Sequence, residues 1–381
     1  MTDNNDQIIL DALDKFLKAD VDPYAHDLEA RDAYPHEIVA GMKEMGLFGC
    51  IIDEEYGGLG LSASTYARIV ARITQSWMSL SGIVNSHLIM ASAVQRHGTV
   101  EQKERFLPRF ATGELRGGVG LTEPDCGTDL QAIRTTARRD GNDYVVNGAK
   151  TWITNSGEGN CLALLVKTDT AAEPPHKGMS LFIAEKGPGF NVTRKLEKLG
   201  YRGIDTCELH FENYRVPPEN LIGGAEGRGL HQILSGLELG RINVAARGVG
   251  LAQAGLDLAV AYAQTRKTFG KPICEHQAIQ LKLAEMATRA EAGRLLTESA
   301  AEAYDRGQRC DMEAGMAKYA ATEAAQANAL DCMRIHGAYG YSKEFDVERL
   351  YRDAPLLLIG EGTNELQRII IARQLVERNL V

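Results

Sequence analysis

Tyr144-Val145-Val146-Asn147-Gly148-Ala149-Lys150-Thr151-Trp152-Ile153-Thr154 marks a change of texture in the chain. Tyr144–Val146 and Thr151–Thr154 are short β-forming runs, and Asn147-Gly148 between them tolerates positive φ, so the spacing predicts a β-hairpin. Strands are also predicted at 161–167, 179–185 and 207–212; in the last, Cys207, Leu209 and Phe211 alternate with polar residues. Residues 117–225 are therefore expected to form a β-unit.

On either side the period changes from two to that of a helix. Ile8, Leu10, Leu13, Phe16 and Leu17 recur at helical spacing, and 1–116 reads as helical, interrupted by a turn over Tyr56-Gly57-Gly58-Leu59-Gly60. Beyond Gly227, Ile242, Ala245, Val249, Ala252, Leu256 and Val260 form one stripe, and Ile279, Leu283, Met286 and Ala290 another. A third helix is predicted with Asp311 as N-cap, ending near Gly337. The expected fold class is α+β, mainly helical, in three units: 1–116, 117–225 and 226–381. A length of 381 residues fits two or three packed units.

A formal net charge of -9 argues against a nucleic-acid-binding role, which needs a basic footprint. The cysteines number seven, an odd and dispersed set without C-x-x-C, which predicts a reducing, cytoplasmic setting and no metal site. The N-terminal residues have neither signal- nor transit-peptide character. No uninterrupted apolar run reaches the roughly 18–20 residues of a membrane span, so integral membrane association is not expected. His87, His97, His210 and His336 show no metal-ligand spacing.

Several segments could carry chemistry. Glu361 stands between Gly360 and Gly362, where the backbone can approach a ligand closely; read alone, the segment is also a solvated turn between helices. Leu121-Thr122-Glu123-Pro124-Asp125-Cys126-Gly127-Thr128-Asp129 offers hydroxyls and loosened amides, and Trp152 could pack on a heterocycle. Either a ligand site or an ordinary loop fits that segment. Arg266-Lys267-Thr268-Phe269-Gly270-Lys271-Pro272 could contact a pyrophosphate or be a charged interhelical loop. Arg241, in an apolar helical stretch, needs an anionic partner. Gly248-Val249-Gly250 lies inside a helical stripe, so close helix packing explains it better than dinucleotide binding.

Taken in order, LTEPDCGTD, KTWITN, RKTFGKP, EHQAIQ, RIHGAYGY and IGEGTNELQ resemble the recurring blocks of the acyl-CoA dehydrogenase family over essentially the whole chain. The resemblance implies an N-terminal helical domain, a middle β-barrel-like domain, a C-terminal four-helix bundle, and a homotetramer binding FAD. It places Leu121, Thr122, Trp152, Ile153 and Thr154 at the flavin. Arg266, Thr268, Phe269, Gln277 and the stretch Arg334, Ile335, His336, Gly337 and Ala338 would meet FAD across a subunit boundary. Thr363 and Glu365 would lie toward its phosphate and adenosine side. Thr128, Glu238, Arg241 and Gly362 are the implied substrate-binding positions.

Glu361 matches the catalytic base, and Gly240 occupies the position where some relatives carry it instead. The implied reaction takes the α-proton of an acyl-CoA onto Glu361 and a hydride to flavin N5, giving a 2-enoyl-CoA; an electron-transferring flavoprotein then reoxidises the cofactor. An acyl-CoA oxidase or a non-catalytic acyl-CoA-binding protein are the alternatives. Gly360 replaces a frequent tyrosine, Arg334 a frequent glutamine and Ala338 a frequent glycine. RIHGAYGY and YRDAP are similar to glutaryl-CoA dehydrogenase relatives. Those relatives carry an arginine for a distal carboxylate within 80–86; this chain has no cation there, which speaks against a dicarboxylyl substrate.

Overall fold

The computed structural model describes residues 4–380. Helices α1 (Asn4–Phe16), α2 (Asp22–Ala30), α3 (His36–Glu44), α4 (Ala63–His97) and α5 (Val100–Ala111) come first. Leu10, Leu13 and Leu17 enter the core as their spacing predicts, while Ile8 stays exposed. In the glycine turn, Gly57 and Gly60 have φ of 80° and 58°. Trp77, with φ -159° and ψ 110°, breaks the helical path of α4, and the following half of that helix is buried almost throughout.

The middle unit is a curled seven-stranded sheet. Its strands are β1 (Gly117–Gly120), β2 (Thr136–Asp140), β3 (Asp143–Thr154), β4 (Cys161–Lys167), β5 (Met179–Glu185), β6 (Phe190–Lys195) and β7 (Thr206–Val216). The order is β1-β4-β2-β3-β7-β6, with β5 on the other edge of β4. Apolar β4 and β5 pair antiparallel, buried on both faces.

The predicted hairpin at Asn147-Gly148 is not formed: β3 runs straight through it, and the turn lies earlier, between Asp140 and Asp143, with Gly141 at φ 63°. Gly148 instead marks a register shift against β7, and a Cβ there would meet Thr135 Cα at 2.6 Å. The dipeptide serves a bulge and a close strand approach.

The C-terminal unit contains α6 (Gly229–Leu234), α7 (Leu237–Thr265), a two-stranded hairpin of β8 (Lys267–Thr268) and β9 (Lys271–Pro272), α8 (Gln277–Asp305), α9 (Asp311–His336), α10 (Val347–Ile359) and α11 (Asn364–Arg378). Helices α7, α8 and α9 pack on one another, and α7 and α8 also pack on α4. The glycines of α7 explain the closeness of that packing. A Cβ on Gly248 would sit 2.7 Å from Ala321 backbone atoms, and one on Gly250 2.3 Å from the Ala71 carbonyl oxygen. Alanine at either position would cost about 1–3 kcal/mol in displaced backbone.

Cys310, not Asp311, is the N-cap of α9; Asp311 is its first helical residue and pairs with Arg309 at 2.9 Å. Within the stretch Gly229–Thr265 one window is long and apolar enough to cross a membrane by length and composition alone, although polar residues interrupt it. Its most apolar part is 61% buried inside the protein, as suits the central helix of a bundle.

Candidate active site

Glu361 lies at the junction of α10 and α11. Gly360 ends α10 by donating its N–H to the Leu356 carbonyl at 2.7 Å, and Thr363 caps α11 by accepting from Leu366 N–H. Between them Glu361 and Gly362 both take left-handed backbone, φ 54° and 89°. Glycine adopts this freely; glutamate does so at a cost that the surroundings must sustain.

The sustaining group is Lys318 of α9, whose side chain is completely buried. Its Nζ donates to the Gly362 carbonyl at 2.8 Å and to Asn364 Oδ1 at 2.9 Å. Burial lowers its pKa to about 8, opposed by the Glu361 carboxylate. Gln367 donates to the same carbonyl, and Asn364 donates to Thr322 and Glu323.

The Glu361 side chain enters the space between α4 and α7. Asn85 of α4 donates to Oε1 at 2.5 Å. The Oε2 atom is buried and has no hydrogen-bond partner, and a Cβ on Gly240 of α7 would approach it to 2.8 Å. Desolvation raises the carboxyl pKa, opposed by Arg247, by the Asn85 hydrogen bond and by Lys318. The solvated-turn reading of this segment is therefore wrong.

A second group lies on the sheet. Thr151 N–H donates to the Thr122 carbonyl at 3.0 Å, joining the threonine-rich loop to β3. Beneath, Lys150 donates to Glu123 Oε1 at 2.8 Å and to the Leu121 carbonyl at 2.9 Å, while Glu123 also accepts from the Arg134 and Thr135 amides. This buried ion pair brings LTEPDCGTD and KTWITN together. The β3–β7 register shifts between Lys150 and Ile153, and Trp152 there has φ 61° and stays 58% exposed. Thr122 and Thr154 are half-buried, whereas Ile153 is buried in the sheet core and offers a ligand only its main chain.

The third group sits at the far end of α7. Arg266 ends the helix, exposed; Phe269, at the tip of the β8–β9 hairpin, is 97% exposed with φ 53°. Thr268 Oγ1 lies 3.0 Å from His276 Nε2, and Gln277 starts α8 exposed. Arg334, Gly337 and Ala338 are exposed beside this corner, with Arg334 3.6 Å from Asp331. Ile335 and His336 are buried, and His336 stacks on Tyr262 with 4.1 Å between ring centroids. At 1.5 Å per residue, Gly240 and Arg266 stand roughly 40 Å apart, so this corner and Glu361 cannot face one compact ligand group within one chain.

At the N-terminal end of α7, Arg241 is half-buried, its Nε unpartnered, with Asp311 and Glu238 its nearest opposite charges. Burial and Asp311 hold the Glu238 carboxyl above its usual range. Thr128 and Glu365 are exposed, Gly362 half-buried. Asn85, Arg247 and Lys318 escaped sequence reading, although the signal that singled out Arg241, a polar residue in an apolar or small-residue helix, applies to each. His87 is a core histidine lodged between Phe48 and Phe110, its pKa lowered to about 3 by burial.

Three family models cover the chain in order: the acyl-CoA dehydrogenase N-terminal domain over residues 3–114, the middle domain over 118–214 and the C-terminal domain over 227–376. An acyl-CoA dehydrogenase of Bacillus subtilis (strain 168) is 41% identical over 363 residues, 95% of each chain. The (2S)-methylsuccinyl-CoA dehydrogenase of Cereibacter sphaeroides is 39% identical over 381 residues, covering 97% of this chain and 69% of its own. Butyryl-CoA dehydrogenase from Megasphaera elsdenii has the same fold, with a TM-score of 0.95, 33% identity and 99% of each chain covered. In sequence and in the build of all three units, the chain belongs to the acyl-CoA dehydrogenase family of FAD-dependent oxidoreductases.

Proposed function

We propose that this protein dehydrogenates an acyl-CoA thioester between its α and β carbons, with Glu361 as the base for the α-proton. One observation carries the reading: a buried carboxylate with one oxygen held by Asn85 and the other without a partner, facing a glycine. A thioester α-hydrogen is weakly acidic, so its removal needs a carboxylate in reach, aimed and poorly solvated. Burial raises the basicity of Glu361 toward that task, while Asn85 and Arg247 keep the anion accessible. The missing side chain at Gly240 leaves room for the α-carbon against Oε2. The Glu361 N–H can donate to the thioester carbonyl as enolate charge develops.

FAD, when bound, accepts the β-hydrogen as hydride, so that loss of a proton and a hydride leaves a carbon–carbon double bond. The residues fit such a group: exposed Trp152 offers a flat apolar face, Thr122 and Thr154 offer hydroxyls, and exposed Arg266 offers a fork for phosphate oxygens. Because Arg266 and Phe269 lie roughly 40 Å from Glu361 along α7, this reading has a second copy supply them to each site, in an assembly of at least two chains such as the homotetramer that the family resemblance implies. Reoxidation by an electron-transferring flavoprotein belongs to this reading, as does a reducing, cytoplasmic setting for seven free cysteines.

Anaerobic titration of the purified yellow protein with CoA esters of graded length and branching should bleach the flavin. Absence of bleaching by any thioester would sink the proposal. Peroxide release without an added acceptor would point to an oxidase, and a folded but colourless protein to a binding role.

A further inference from the structure

The acyl end of the site contains a buried arginine that, among the described residues, has no carboxylate in contact with it. Arg247 is 4% exposed, yet its Nε and Nη2 have no hydrogen-bond partner and, among the described residues, it forms no ion pair. Its one contact of this kind is Nη1 to the Tyr201 hydroxyl, at 3.4 Å. A buried guanidinium in that condition is costly unless an anion reaches it.

The location is specific. Arg247 follows Gly240 by seven residues on α7, two turns and roughly 10 Å along the same face. Helical side chains lean toward the N-terminus, so the guanidinium is directed back along that face toward the Glu361 carboxylate, whose ionised form it favours. Asn243, one turn from each, is fully buried and donates to the Tyr66 hydroxyl at 2.7 Å, while its Oδ1 is unpartnered.

Tyr201 is held in this wall at some expense. Its backbone takes φ 55°, its N–H donates to buried Asp353, and its hydroxyl occupies the place a side chain at position 82 would need: a Cβ on Gly82 would lie 1.5 Å from it. The segment 80–86 thus provides no cation but makes room for Tyr201, and the cation comes from another helix.

We infer that Arg247, with the Tyr201 hydroxyl beside it, binds a carboxylate at the far end of a short acyl chain, so that the preferred substrate is a dicarboxylyl-CoA. The inference rests on the dehydrogenation proposed above and names its substrate class. It reverses the expectation drawn from the lack of a cation in 80–86.

Glutaryl-CoA and pentanoyl-CoA differ at the acyl end by a carboxylate against a methyl group. Each is titrated calorimetrically into flavin-loaded Glu361→Gln protein, with Arg247 intact and with Arg247→Met or Arg247→Gln, each checked for folding by circular dichroism. Arg247-intact protein is expected to bind glutaryl-CoA at least about tenfold more tightly, and either substitution to abolish the preference. With Glu361 present, the ratio of kcat/KM values for the two esters should fall on the order of a hundredfold on substitution. Equal affinities in Arg247-intact protein, or a glutaryl preference that survives substitution, would overturn the inference. So would an equal loss for both esters, which would make Arg247 only the counter-charge of Glu361. Binding is read independently of turnover, so failure of the base assignment shows separately, as flavin reduction by Glu361→Gln protein.

Discussion

At one end of α7, Gly240 faces a carboxylate that Asn85 orients and whose loop Lys318 pins; at the other, Arg266 and Phe269 stand in solvent. The first region is finished within one chain: strained backbone at Glu361 is held by buried hydrogen bonds, and the polar groups left open face the space between α4 and α7. The second has the same left-handed backbone at Phe269 but no buried network to hold it. Strain sustained internally marks the place of chemistry, whereas an exposed aromatic and an exposed cation mark a surface completed by something outside the chain.

Substitutions should divide along that line. The largest effect is expected for Lys318→Met, which removes the charged donor from the Gly362 carbonyl and Asn364 Oδ1 in a dry interior and leaves them only the longer bonds from Gln367 and Thr322. Thermal or denaturant unfolding should show a loss of roughly 1–3 kcal/mol, together with a fall in kcat. Unchanged stability would show that the junction holds its own shape. Asn85→Ala should act more locally. The Asn85 hydrogen bond lowers the Glu361 pKa, so its removal raises that pKa further and moves the acid limb of the kcat–pH profile to higher pH. A shift to lower pH would mean that Asn85 favours the protonated acid.

The smallest effect on folding is expected at the open corner. Phe269→Ala should change protomer stability by less than about 0.5 kcal/mol, yet weaken FAD retention and make it dependent on protein concentration. Retention unchanged on dilution would remove the corner from the cofactor site.

Sequence reading went furthest where one physical signal dominated. The continuous apolar runs of β4 and β5 fall where predicted, 161–167 and 179–185, because strands buried on both faces carry no polar interruptions. The exposed strands β2 and β6, with sequences TARRD and NVTRK in their outer parts, carry no such signal and were not foreseen. Asn147-Gly148 misled because a bulge and a tight turn ask the same backbone freedom of glycine. At the site, the block containing Glu361 was legible, and Gly240 proved to lie against it in space. The partners of Glu361 were not legible. Asn85, Arg247 and Lys318 come from three separate helices, and only tertiary packing shows that they converge. The Lys150–Glu123 pair is a similar case: each residue lies in a recognised block, but their contact joins the blocks.

Whether Glu361 takes the α-proton is read from the anaerobic flavin absorbance of Glu361→Gln protein after mixing with an acyl-CoA that bleaches the unaltered protein. Burial raises the folded-state pKa of Glu361, so its stabilising contribution is present at low pH and lost as pH rises through that pKa. The neutral glutamine should therefore be at least as stable near neutral pH, and lost activity cannot be ascribed to unfolding. The expected result is a folded, yellow protein that binds the thioester and does not bleach; bleaching at a rate near that of the unaltered protein would show that another group removes the proton.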